Sequence, residues 1–201
     1  MCSIFGTFDV VEAKRLQQLN SRRGVISNSS TVFDNNINIV SMTKQYGELD
    51  DFKEELSGYH LYHQQAPTSQ ENDTIHPSEY KNSFLWHNGI VKQDTIKKLM
   101  SRTGNNSLWD THQINVLLNT SFTNDLDLIE GSFSCIWYKN NNLYMFRNQI
   151  SPMFFNGSTI SSEKFENSIE TIPNTMYIFE NSVWVEKHKF INNELPFFFF
   201  D

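Results

Sequence analysis

Residues 1–8 read Met1-Cys2-Ser3-Ile4-Phe5-Gly6-Thr7-Phe8. Small and apolar residues mix without a charge, which suits a buried strand starting at the first residue of the chain. A small residue after Met1 permits removal of the methionine. Cys2 would then carry a thiol and a free α-amine. The unperturbed pKa of an α-amine is about 7.7–8.0, so a useful fraction is neutral near pH 7. Such an amine can act as base for its own thiol, directly or through a water. One residue would supply nucleophile and base. A cysteine in second place is a weak signal alone, and the rest of the sequence must carry the argument.

The chain has 201 residues, enough for one well-cored domain. A hydrophobic content of 38%, with seventeen Phe, is that of a globular chain with an aromatic core. The formal net charge of −7 repels phosphate backbones and argues against a nucleic-acid partner. No apolar run approaches the roughly 18 residues of a membrane span. No basic segment followed by an apolar one opens the chain as a secretory signal would. These readings point to the cytoplasm and to no membrane partner. Nothing in the sequence supports a disulfide between Cys2 and Cys135, and a cytoplasmic location disfavours one.

Outward from the first strand, residues 11–20 place Val11, Leu16 and Leu19 at helical spacing, with Arg22-Arg23-Gly24 ending the segment. Residues 31–42 read as a strand pair around an Asn-rich turn, and 58–63 as a strand running into the loop at Pro67. Phe84-Leu85-Trp86 is a short strand, with Asn88-Gly89 behind it as a turn pair. Residues 94–100 form a helix capped by Asp94, and 110–119 a second helix. Residues 133–138, 143–147, 153–155, 176–179 and 183–185 are strands, and 162–169 a short helix. Strands with two or three helices and no linker give one α+β domain with largely antiparallel sheets.

Several short motifs carry chemistry. Met1-Cys2-Ser3-Ile4-Phe5-Gly6 is followed by Arg23-Gly24, His63-Gln64-Gln65-Ala66-Pro67-Thr68, Ile75-His76-Pro77 and Trp86-His87-Asn88-Gly89-Ile90-Val91. Asp110-Thr111, Gly131-Ser132-Phe133-Ser134 and Arg147-Asn148, with Pro152, come after them. In number and order these resemble the motifs of class II, N-terminal-nucleophile glutamine amidotransferases. That family includes the glutaminase domains of asparagine synthetase, glucosamine-phosphate synthase and amidophosphoribosyl transferase. The resemblance covers about residues 2–190 and leaves 191–201 as a Phe-rich tail. It implies a four-layer αββα sandwich of antiparallel sheets, the Ntn-hydrolase fold, and no cofactor.

The same resemblance assigns roles. Cys2 attacks the side-chain amide carbon of glutamine, ammonia leaves, and water resolves the thioester. Asn88 and Gly89 donate to the oxyanion, Asp110 accepts the α-ammonium, and Arg23, Gln65 and Thr68 belong to the substrate site. Each has a plainer reading: a hairpin turn for Asn88-Gly89, a helix cap for Asp110, a loop hydroxyl for Thr68. His87 reads as a core residue. Gln65 departs from the family, which uses Arg there to clamp the α-carboxylate; a guanidinium fits a carboxylate bidentately, whereas Gln offers a neutral amide. His112 and Asn148 also stand where the family often has acids. His60 and His63 have no further ligands to make a metal site, and Gly104-Asn105-Asn106-Ser107 lacks the spacing and Lys of a phosphate loop.

The expected function is glutamine hydrolysis with delivery of ammonia to a separate synthase subunit. An amidohydrolase of the same fold acting on another γ-glutamyl or amide substrate is the alternative that Gln65 favours. A non-catalytic homologue is the third reading.

Overall fold

The structure is a computed structural model and describes residues 2–66 and 74–195. Thr68 and the Phe run at 197–200 lie outside the described residues. The chain opens with β1 (Ser3–Thr7) and α1 (Val10–Leu19), then β2 (Ser27–Phe33), β3 (Ile39–Tyr46), β4 (Tyr59–Gln65), β5 (Ser78–Tyr80) and β6 (Ser83–Val91). Next come α2 (Gln93–Thr103), α3 (Asp110–Ser121), β7 (Gly131–Lys139) and β8 (Asn142–Arg147). The chain closes with β9 (Phe154–Asn156), β10 (Thr159–Ser161), β11 (Ile169–Glu170), β12 (Thr175–Glu180) and β13 (Val183–Lys189). One sheet runs β11-β9-β10-β1-β4-β2-β3 and the other β13-β12-β8-β7-β6-β5, both antiparallel.

Side-chain alternation along the strands builds three cores. Phe5 and Tyr62 face one way and pack with Ala13 and Leu16 of α1. Ile4, Tyr59 and Leu61 face the other way and meet Trp86, Ile136 and Met145 of the second sheet. Leu85, Phe133 and Trp137 point out of that sheet onto Ile96, Leu99, Ile114 and Leu117 of α2 and α3. The layers are therefore helix, sheet, sheet, helix pair, the αββα sandwich expected from the sequence. Every residue of β1 is buried, as its mix of small and apolar residues implied.

Some local expectations need correction. Asn88 and Gly89 form no turn: they lie inside β6, opposite Ser134 and Phe133 of β7. A Cβ on Gly89 would stand 2.1 Å from the Ser132 carbonyl oxygen. Glycine therefore serves close backbone approach here, not a bend. Residues 162–169 are not helical; they are bends and turns ending in β11. Asp94 does not cap α2. The cap position is Lys92, and Asp94 sits in the first turn, favoured by the helix dipole. Asp110 is likewise the first residue of α3, after a cap at Trp109. Strand β2 begins at Ser27, earlier than its apolar residues suggested, because Ser27-Asn28-Ser29-Ser30-Thr31 is polar yet buried between β3 and β4.

Candidate active site

The β1–β4 register decides what surrounds Cys2. Ser3 pairs with Gln64 and Ile4 with His63. Cys2 precedes Ser3 and Gln65 follows Gln64, so extending the register by one residue puts the two opposite each other. Cys2 is 3% exposed. Ile4 faces the gap between the sheets, and by alternation so does Cys2. Arg23 holds this end of the strand: its Nη1 donates to the Cys2 carbonyl oxygen (3.4 Å) and its Nε to Glu163 (2.6 Å). Gly24 follows because its backbone passes Gln65 so closely that a Cβ would meet the Gln65 carbonyl carbon at 2.5 Å.

Asn88 reaches this site from the other sheet. Its Nδ2 donates to Ser162 Oγ (3.4 Å), and Ser162 Oγ accepts from Ile4 N (3.0 Å). Ser162 N in turn donates to Ile4 O (2.9 Å). Among the described residues, Asn88 Oδ1 is one of eleven buried side-chain polar atoms with no hydrogen-bond partner. Natural proteins leave few such atoms, and each calls for an explanation such as a bound molecule or a catalytic role. Ser162 escaped the sequence reading. It lies in the stretch taken for a helix, and no pattern distinguishes it.

Gln65 is 6% exposed. Its Oε1 accepts from Ser27 Oγ (3.1 Å) and from His76 Nδ1 (3.1 Å), and its Nε2 donates to the Thr74 carbonyl oxygen (2.7 Å). His76 Nε2 lies 2.9 Å from Thr111 Oγ1, which lies 3.2 Å from His87 Nδ1. Asp110 closes this line. Its Oδ1 accepts from Thr111 N (2.7 Å), its Oδ2 accepts from Val91 N (3.3 Å), and its carboxylate lies 3.8 Å from His87 Nδ1. The structure thus joins Cys2, Arg23 and Gln65 at one end of the first sheet and ties Asn88 to it. Asp110 connects to Gln65 through Thr111 and His76.

His63 stacks on His76 with ring centroids 3.9 Å apart and donates from Nε2 to the His87 carbonyl oxygen (3.0 Å). His60 points to the opposite face, toward Tyr62 and the Leu56 carbonyl, so the sheet itself separates His60 from His63. Among the described residues no group of three or more His, Cys, Asp or Glu is arranged to hold a metal ion.

Burial lowers the His63 pKa from 6.5 to about 3, the His87 ring opposing the proton and the His87 carbonyl favouring it. Burial, with the neighbouring histidines, holds His76 well below its ordinary value too. Both rings stay neutral in the folded chain and take up protons once exposed. The stability this gives is complete above about pH 6.5 and is lost as pH falls toward about 3. Urea unfolding at a series of pH values should show a loss of about 1.4 kcal/mol per pH unit for each such histidine. His63→Phe should flatten the slope.

The fold is that of a class II glutamine amidotransferase domain, as the motif order implied. The chain resembles a glutamine phosphoribosylpyrophosphate amidotransferase from B. subtilis (TM-score 0.71, 15% identity) over 96% of its own length and 50% of that chain. It resembles a structure described as the allosteric regulatory enzyme of purine biosynthesis (TM-score 0.69, 17% identity) over 96% and 50% respectively. A glutamine aminotransferase class-II domain protein from Silicibacter pomeroyi aligns at TM-score 0.55 and 12% identity, over 94% of this chain and 98% of that one. The chain thus spans half the length of the first two. No model of a known protein family matches it, and no curated protein does. None of the helices described is long and apolar enough to cross a membrane.

Proposed function

We propose that residues 2–190 form a glutamine amidotransferase-type hydrolase domain in which Cys2, with Met1 removed, is the nucleophile. The observation that supports this reading is a buried Cys2 immediately before β1 and an Asn88 amide from the other sheet linked through Ser162 to Ile4, two residues on. The α-amine takes the thiol proton, and the thiolate attacks the carboxamide carbon. Asn88 Nδ2 and Gly89 N–H stabilise the oxyanion. The C–N bond breaks, and the nitrogen leaves as ammonia with the proton returned from the amine. Water hydrolyses the thioester, giving a carboxylate and free Cys2. Asp110 accepts the substrate's α-ammonium; Arg23 fixes the strand end, Gln65 faces the α-carbonyl side, and Thr68 belongs to the same substrate site. In this reading the ammonia passes to a separate synthase subunit, in the cytoplasm.

A second reading, hydrolysis of a related γ-carboxamide other than free glutamine, is favoured by the neutral side chain at position 65. Intact-mass measurement tests whether Met1 is removed. Incubation with a glutamine-mimicking diazo-ketone, as the free amino acid and as its α-amide, should then give one adduct, on Cys2. A processed chain that forms an adduct with neither reagent overturns the hydrolase reading.

A further inference from the structure

We infer that the substrate group of this site is a glutaminyl residue with a free α-ammonium and an amidated carboxyl, as at the N-terminus of a peptide. The inference rests on the hydrolase reading above and narrows it. Extending the β1–β4 register one residue past the Ser3–Gln64 pair puts Cys2 opposite Gln65, so in this inference the substrate that Cys2 attacks also meets the Gln65 side chain. A Gln amide has two donor hydrogens and an oxygen with two acceptor sites. Ser27 and His76 take both acceptor sites, and Thr74 takes one hydrogen. Among the described residues, one N–H remains to offer. A single neutral donor matches a neutral carbonyl oxygen; a buried carboxylate requires charge-assisted partners.

The described partners of the Gln65 side chain, Ser27, His76 and Thr74, supply no substitute cation. The two packed rings, His63 and His76, are neutral at physiological pH. Arg23 is paired with Glu163 and the Cys2 carbonyl. Lys44, whose charge is felt at His76, donates to the Pro77 carbonyl oxygen (2.6 Å) and faces Glu79. Asp110, by contrast, keeps a carboxylate for an ammonium. The site therefore offers charge for the amine end and none for the acid end. On the neighbouring strand end, Ile26 N donates to the Gln65 carbonyl oxygen (3.1 Å), and Val25 and Ile26 are exposed.

The test compares L-glutamine, L-glutaminamide and glutaminylglycine on the processed wild-type chain. Mass spectrometry follows the products and separates glutamyl product from spontaneous pyroglutamyl. The two α-amidated substrates should show kcat/KM at least about tenfold higher than free glutamine, the scale of one charged hydrogen bond. The α-amide diazo-ketone should label Cys2 faster by a similar factor. Gln65→Arg should reverse the preference, and Lys44→Gln should leave it unchanged. Equal or better turnover of free glutamine overturns the inference and leaves the hydrolase reading intact. Failure to turn over either amidated substrate also overturns it, and the Cys2 adduct then tells whether the hydrolase reading survives.

Discussion

Cys2→Ala is expected to abolish carboxamide hydrolysis, with kcat falling on the order of 10⁶-fold, the scale seen when a covalent nucleophile is deleted. The fold should persist. Cys2 precedes β1 and contributes a single sulfur to the gap between the sheets, so its loss should cost about 1 kcal/mol. The second thiol provides an internal control. Cys135 is fully buried in β7, and burial, aided by the Asp110 carboxylate, pushes its pKa well above the ordinary thiol value. It stays a thiol and reacts poorly. Peptide mapping after alkylation should therefore find the modification on Cys2, and none in the variant. Ammonia release that survives in Cys2→Ala would move the nucleophile elsewhere.

Asn88→Ala should lower kcat by about 10²–10³-fold with little change in KM, as expected for a donor used only in the transition state. Stability should move the other way or not at all. Among the described residues Asn88 Oδ1 is buried without a partner, and Nδ2 makes one long bond, to Ser162 Oγ. Removing a poorly satisfied buried amide relieves a desolvation cost, so unfolding free energy should stay level or rise by about 1 kcal/mol. Parallel urea melts and rate measurements check this. A fall in stability matching the fall in rate would mark Asn88 as a packing residue instead.

The parts of this molecule legible in the sequence are those where one physical pattern dominates. The uncharged opening 2–8 reads as a buried strand and is β1; the helical spacing of 11–20 reads as a helix and is α1. Strand β2 was only half legible, because Ser27 to Thr31 are buried by pairing with two neighbours and not by hydrophobicity. Asn88-Gly89 carries the strongest turn signature of short sequences, yet the long ladder with β7 overrides it. At the site, the motif order led to Cys2, Asn88 and Gln65. It could not reveal Ser162, or that His76 tethers Gln65. Both relations span distant segments, and only the folded chain brings them together.

The Ser162 tether has a mechanical consequence. Cys2 adjoins a strand of one sheet and Asn88 lies in the other, so in the proposed hydrolase the distance between them depends on the thickness of whatever fills the gap. Ile4, Trp86 and Ile136 are that filling. Exchanges that keep the combined bulk of these residues should be tolerated. A swap that thins or swells the layer should shift Cys2 against Asn88 from within the core.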